Sequence, residues 1–304
     1  MAIDVKIVTD SVGPNGVRLT TAVFRYPRFI HSELMTHRDF SRNASSSRAI
    51  PIEKQIQMVI DEPAMPIAFR KNQKGMQAGE LLDEAGQREA ERLWLLSRDE
   101  AVRHAREMSK LGVHKQYVNR ILEPFSHISV VVTASRWANF FALRHHSAAQ
   151  PEIAELARQM WELYQENTPT DLKEGSWHLP FVSKDDILEH ADNLGMSYDD
   201  FDRSKEQDEV WMHENFWLPL IKRSVARCAR VSYLNHDGTQ TTMEQDLALF
   251  ERLLGSQPIH ASPAEHQARA STDEKLRSGN LHGWLQYRKM LENEYITEFN
   301  GPLG

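Results

Sequence analysis

The stretch best equipped for chemistry is Thr36-His37-Arg38-Asp39-Phe40-Ser41-Arg42-Asn43-Ala44-Ser45-Ser46-Ser47-Arg48. It concentrates one His, three Arg, one Asn and four Ser in thirteen residues. Arginine offers a planar fork of donors suited to phosphate, and serine hydroxyls with loop N–H groups can complete an anion cradle without bulk. Such composition more often makes a solvated loop. Here the flanks Tyr26-Pro27-Arg28-Phe29-Ile30 and Ala49-Ile50-Pro51 hold it at both ends, so it reads as a site. Arg144 is the second candidate. It closes the apolar run Asn139-Phe140-Phe141-Ala142-Leu143, where a guanidinium is costly to bury unless it meets a carboxylate, a phosphate or a base edge. The third is Pro258-Ile259-His260-Ala261-Ser262-Pro263-Ala264-Glu265-His266, a weak signal by itself.

Other chemistries lack their residues. The 14 His include no His-Glu-x-x-His, and His145 and His146 would point about 100° apart on a helix, so no metal is expected. There is no Gly-x-Ser-x-Gly elbow, Walker loop or Gly-x-Gly-x-x-Gly, and the single cysteine, Cys228, has the apolar helical context of an inert buried thiol. One cysteine excludes an intrachain disulfide and points to a reducing cytoplasm. A net charge of −7 argues against broad contact with nucleic acid, and no apolar run approaches the roughly 20 residues that would span a membrane.

The elements that must position these groups are legible in part. With 304 residues, 40% of them hydrophobic, the chain can bury a large core. Ile7-Val8 and Val17 to Phe24, separated by Gly13-Pro14-Asn15-Gly16, predict a hairpin, and Phe29 to Met35 a short helix that delivers the polar loop. Helices are expected over 52–60, over 80–111 with a core stripe of Ala90, Trp94, Ala101, Ala105 and Met108, and over 113–122 until Glu123-Pro124 breaks the last. Arg70 to Gln77 is a polar, basic loop. Ile128 to Thr133 is the clearest buried strand, and Pro151 opens a helix with Ile153, Leu156, Ala157, Met160 and Tyr164 inward. Residues 165–215 read as a surface excursion or small lobe of one catalytic domain over 1–304. Glu214 to Ala226 is helical, and Thr241-Thr242 caps a helix that turns Met243, Leu247, Phe250 and Leu254 inward and stops at Gly255.

Several of these pieces resemble the flavin-dependent thymidylate synthases. That family's signature is Arg-His-Arg, seven residues, then Ser; here Thr36-His37-Arg38 is followed by seven residues and Ser46, with Asn43 and Arg48 in place. Asn139 to Arg144 with Ala149-Gln150-Pro151-Glu152-Ile153 is similar to a second family block, and Gly112-Val113 to Arg120-Ile121-Leu122-Glu123-Pro124 to a third. Ala229-Arg230-Val231-Ser232-Tyr233, the helix 243–254 and His260 to His266 resemble the family's opening segment. They stand at the other end of this chain, as in a circular permutation. Thr36, Glu33, Ala44, Ser47 and Ala49 replace the family's Arg, Gln, Glu, Gly and Tyr, mostly on the nucleotide side.

The resemblance implies an α+β fold, a mixed sheet flanked by long helices, assembled as a homotetramer. It implies FAD as cofactor, NADPH and methylenetetrahydrofolate as co-substrates, and one-carbon transfer to C5 of a deoxypyrimidine monophosphate, dUMP to dTMP. Hydroxymethylation of dUMP or dCMP is the alternative, and a non-catalytic nucleotide-binding protein is another. Carried over by position, His37, Arg38, Asn139, Ser232, His260 and Ser262 would hold FAD. Glu33, Ser45, Ser46, Ser47, Arg48 and Arg120 would hold the nucleotide, Arg144 would read the base, and Arg144 and Ser46 would be the catalytic pair. His260 and Ser262 should then share a pocket with His37, Arg38 and Asn139, with partners drawn from different subunits.

Overall fold

A computed structural model describes residues 3–196, 211–232, 241–256, 259–292, 294–296 and 301. Its strands are β1 Asp4–Val12, β2 Arg18–Pro27, β3 Ser41–Ala44, β4 His127–Ala134, β5 Thr170–Asp171, β6 Trp177–His178, β7 Ala268–Ala270, β8 Arg277–Ser278, β9 Leu281–His282 and β10 Trp284–Gln286. Its helices are α1 His31–Leu34, α2 Ile52–Asp61, α3 Glu84–Lys110, α4 Lys115–Val118, α5 Ala138–Arg144, α6 Pro151–Glu166, α7 Lys184–Asn193, α8 Leu218–Ala229 and α9 Met243–Leu254.

The frame is a five-stranded mixed sheet in the order β3-β4-β2-β1-β5. β1 and β2 form the expected hairpin, with Gly16 at φ 78 in its turn, where only glycine is unstrained. Side chains alternate across the pleat, which divides the sheet's two faces. Ala22, Phe24, Tyr26, Val130, Val132 and Ala134 pack with Phe140 of α5 and Ile153, Leu156, Ala157 and Met160 of α6. The opposite face carries Val131, against Cys228 of α8 and Val231, and the hydroxyls of Thr21 and Thr133. The fold is thus α+β, a mixed sheet with helices on its faces.

A chain of polar groups runs under that second face. Ser11 Oγ lies 2.9 Å from His178 Nδ1, His178 Nε2 lies 2.8 Å from Thr21 Oγ1, Thr21 Oγ1 lies 2.6 Å from Thr133 Oγ1, and Thr133 Oγ1 lies 2.8 Å from His266 Nδ1. Burial pushes His178 down to about 3, although Asp10 opposes the shift. Burial and the neighbouring His178 push His266 to the same value, so both rings are neutral at ordinary pH.

Several expectations need correction. Over 113–125 there is one α-turn, α4, followed by a 3-10 helix from Asn119 to Phe125 that passes through Pro124. Proline's fixed φ is compatible with that tighter helix, so Pro124 does not end it. In α3 Val102 and Ala105 are buried, and Trp94, Ala101 and Met108 of the expected stripe pack against the same cluster, half-buried. Leu93 and Leu96 are exposed, and an open groove of about 840 Å³ runs beside them toward Leu111 and Ile121. The buried face of α9 is Asp246, Leu249, Phe250 and Leu253; Met243 and Leu254 of the expected stripe are only partly buried but pack against the same core as Phe250. Asp246 is fully buried among Arg223, Arg227 and Arg230, with Arg227 and Arg230 at 3.1 Å. Gly255 caps α9 at φ −80, so it is not a left-handed stop. Within 165–196, Trp177, Leu179, Ala191 and Met196 are buried in a core cluster of their own with α8, so this stretch is no mere surface excursion; 197–210 lie outside the described residues.

Candidate functional site

The polar loop is held between β2 and β4. α1 turns the chain out of β2, and β3 brings it back along the edge of β4, pairing Ser41 with Thr133 and Ala44 with Val130. At the head of the loop Arg144, the last residue of α5, reaches Glu33, Thr36 and His37. Its Nη1 donates to Glu33 Oε2 at 3.0 Å, Nη2 to Thr36 Oγ1 at 3.1 Å and Nε to His37 Nε2 at 3.0 Å. His37 must therefore carry its ring proton on Nδ1. Burial, and then the cations of Arg144 and Arg42, push His37 down to about 4, so it is a neutral acceptor. Phe140 meets its ring edge-on at 5.0 Å and fixes its plane. Arg144 thus finds the expected carboxylate, inside its own chain.

At the far end of the loop a cavity of about 360 Å³ opens. Asn43, Ser46, Arg48 and Ala49 line one side, and His260, Ser262 and Pro263 line the other, with Gln116, Ala229 and Leu253 between them. Ser262 Oγ donates to Asn43 Oδ1 at 3.3 Å, and Asn43 Nδ2 donates to Cys228 O at 2.9 Å, which sews the two ends of the chain together. Arg48 is exposed and forms no ion pair among the described residues. Hydroxyls, amides, an imidazole and a guanidinium around a small apolar floor make an anion site with room for a flat ring.

The other candidates divide differently. Ser45 is spent on β4, accepting from Ser129 N at 3.2 Å. Ser47 and Arg120 converge on Glu123, at 2.6 Å and 2.9 Å, where Arg28 joins at 3.2 Å. In this structure both side chains are held by a carboxylate of the same chain. Arg38 and Asn139 are exposed and do not line the cavity. The side chain of Ser232, and Tyr233 and Pro258 entirely, lie outside the described residues. So the structure brings His260 and Ser262 to Asn43, Ser46 and Arg48 within one chain, and gathers His37 with Arg144 and Glu33 in a second cluster. Glu123 was missed by sequence reasoning, although its i,i+3 spacing from Arg120 was a usable signal. Gln116 had none.

The sequence profile of the family described as thymidylate synthase complementing protein matches residues 15–170, which include the loop, β4, α5 and Arg144. The chain belongs to that family. The match within this thymidylate synthase complementing family ends before α8, so the 229–266 half of the cavity lies outside it. Among solved structures the chain is similar to the UMP/dUMP methylase PolB from Streptomyces cacaoi bound with 5-Br UMP, at 16% identity and a TM-score of 0.46 over 54% of this chain and 89% of that one. The same enzyme bound with 5-Br dUMP gives 17% identity and a TM-score of 0.45 over 54% of this chain and 90% of that one. No curated protein matches. Among the described residues no helix is long and apolar enough to cross a membrane.

Proposed function

We propose that this member of the family transfers a one-carbon unit from methylenetetrahydrofolate to C5 of a deoxypyrimidine monophosphate, dUMP to dTMP, with FAD as cofactor and NADPH as reductant. The observation that carries the reading is the cavity in which Ser46 and Arg48 meet His260 and Ser262. Arg48 and Ser46 supply the charge and hydroxyl for a phosphate, and Ala49, Leu253 and Pro263 supply an apolar surface. The donor set at His260, Ser262 and Asn43 also fits a flavin dinucleotide, whose pyrophosphate needs donors and whose ring needs a flat slot. His37, Arg38 and Asn139 do not line this cavity, so in the proposal they, with Ser232, reach the flavin from a neighbouring subunit. Bound there, FAD would supply the hydride.

The chain's own groups bind and orient. Arg144, held by Glu33 and His37, is a fixed cation that can donate to a carbonyl oxygen of the base and draw electron density from the ring. The neutral His37 keeps the guanidinium oriented without competing for its charge. Cys228 cannot serve as a nucleophile, because it is fully buried and burial pushes its thiol well above the ordinary range. Homotetrameric assembly belongs to the same proposal, and the exposed Leu93, Leu96 and Leu111 beside the α3 groove offer an apolar contact for it.

Hydroxymethylation of dUMP or dCMP is the second reading, favoured by the Glu33 carboxylate that sits on the base-reading arginine. Purified protein incubated with each nucleotide, FAD, NADPH and methylenetetrahydrofolate tests both. A product heavier by one CH2 supports the first reading, and one heavier by CH2O supports the second. Nucleotide binding without any product would leave only a binding protein.

A further inference from the structure

The C-terminal strands reach back across the molecule to the polar loop. Asn280, at the turn between β8 and β9, donates Nδ2–H to Asp39 O at 3.0 Å and accepts at Oδ1 from Ser41 Oγ at 3.1 Å. His282 N donates to Ser135 Oγ at 2.9 Å, which docks the same hairpin on the end of β4. Behind it lies Gln286, only 1% exposed. Its Nε2 stands 3.0 Å from Glu265 O, 3.0 Å from Asn280 Oδ1 and 3.2 Å from Ser41 Oγ. One primary amide therefore shares its two N–H groups among the turn Ser262–Glu265, the hairpin and β3. Its other side is fixed too. Gly279 has φ +61, and a Cβ there would come 2.2 Å from Gln286 Oε1, so the hairpin turn and the amide are fitted to each other.

Two of these anchors, β3 and the Ser262–Glu265 turn, belong to segments that wall the cavity, while the hairpin lies behind them. Asn43 follows Ser41 by two residues on one wall, Ser262 precedes Glu265 by three on the other, and the Gln286 amide joins both behind the Ser262–Asn43 bond that links them directly. We propose that Gln286, supported by Asn280, is the positioning pair that sets the distance between the Arg38–Asn43 segment and the Ser262–Glu265 turn. For its effect on ligands this rests on the function proposed above. Without those N–H groups, Glu265 O and Ser41 Oγ lose a buried donor, and the 3.3 Å Ser262–Asn43 bond is left to hold the two walls against parting or admitting water.

Gln286→Leu removes both N–H groups at similar volume. Asn280→Ala tests the same device from a half-exposed position where folding is safe, and Val102→Ala in the separate α2–α3 cluster controls for lost stability. The first readout is amide hydrogen exchange in residues 38–43, and the second is FAD affinity by fluorescence titration. Gln286→Leu should speed exchange there by about ten-fold or more, with β1 and β2 unchanged, and weaken FAD by about ten-fold. Asn280→Ala should shift both by about three-fold, and Val102→Ala neither. Unchanged exchange and unchanged FAD affinity in both variants would overturn the inference. If the unaltered chain takes up no FAD, the proposed function falls, while hydrogen exchange alone still decides the role of Gln286.

Discussion

Two arginines on either side of the polar loop make opposite use of the same chemistry. Arg144 gives its donors to Glu33, Thr36 and His37 and is a finished part of the fold. Arg48, on the rim of the cavity, has no ion-pair partner among the described residues. The difference teaches where a ligand must work for its contacts. Under the proposed function, a phosphate at Arg48 meets no carboxylate among the described residues, whereas a base at Arg144 must share donors with a resident one. The first contact should govern affinity and the second should govern turnover and selection.

Replacing Arg144 by Ala should have the largest effect. Turnover measured by product mass should fall by about 10³-fold, the scale of losing a placed donor to developing charge, while FAD uptake stays. An Arg144→Ala enzyme with wild-type turnover would erase the contrast. Acid comes next, because it strikes the closed cluster and the sheet but not Arg48. His37, His178 and His266 are held neutral, with folded values of about 4, 3 and 3, below their ordinary 6.5. The unfolded chain then binds protons that the folded one refuses. Stability is complete above pH 6.5 and is lost as pH falls from 6.5 toward 3, at up to about 1.4 kcal/mol per pH unit for each fully buried ring. Denaturant midpoints against pH should show this slope, and His178→Asn should flatten it.

Arg48→Gln ranks third. It should raise the nucleotide Kd by about 10- to 100-fold through one lost charge-assisted contact, and leave the melting temperature unmoved. A change in melting temperature without a change in Kd would make Arg48 structural. The smallest effect should have the opposite sign. Glu33→Gln takes the carboxylate from Arg144, so calorimetry should show dUMP binding tighter by about three-fold, a change on the scale of one partly exposed ion pair.

What could be read from the sequence was local. The β1–β2 hairpin, β4 and α6 follow from turn residues, β-branched runs and a 3.6-residue stripe. The two halves of the cavity were also legible, because the motifs at 36–48 and 258–266 resemble neighbouring pieces of one family. The missing information was pairing over distance. Glu33 meets Arg144 across 111 positions and Gln286 meets Ser41 across 245, and neither leaves a periodic trace. Local rules also misled. Glu123 before Pro124 reads as the end of a helix, but it is the carboxylate that gathers Ser47, Arg28 and Arg120. In α9, choosing the largest apolar residues found Met243, Phe250 and Leu254 against the core but missed Asp246, which turns inward to meet three arginines.

The bond from Ser262 to Asn43 joins positions 219 residues apart. On a ribosome adding roughly 5–20 residues per second, the polar loop emerges about 10–40 s before the turn that closes its cavity. Once β4 has been made it can pair with β2 and β3, but Thr133 still waits for His266, and Asn43 waits first for Cys228 and then for Ser262. The nascent sheet must wait with one face wet. A chain cut short before residue 260 would therefore leave the sheet paired and the cavity without its second wall, so truncated products of synthesis should be intact in the α5–α6 core yet unable to retain a ligand.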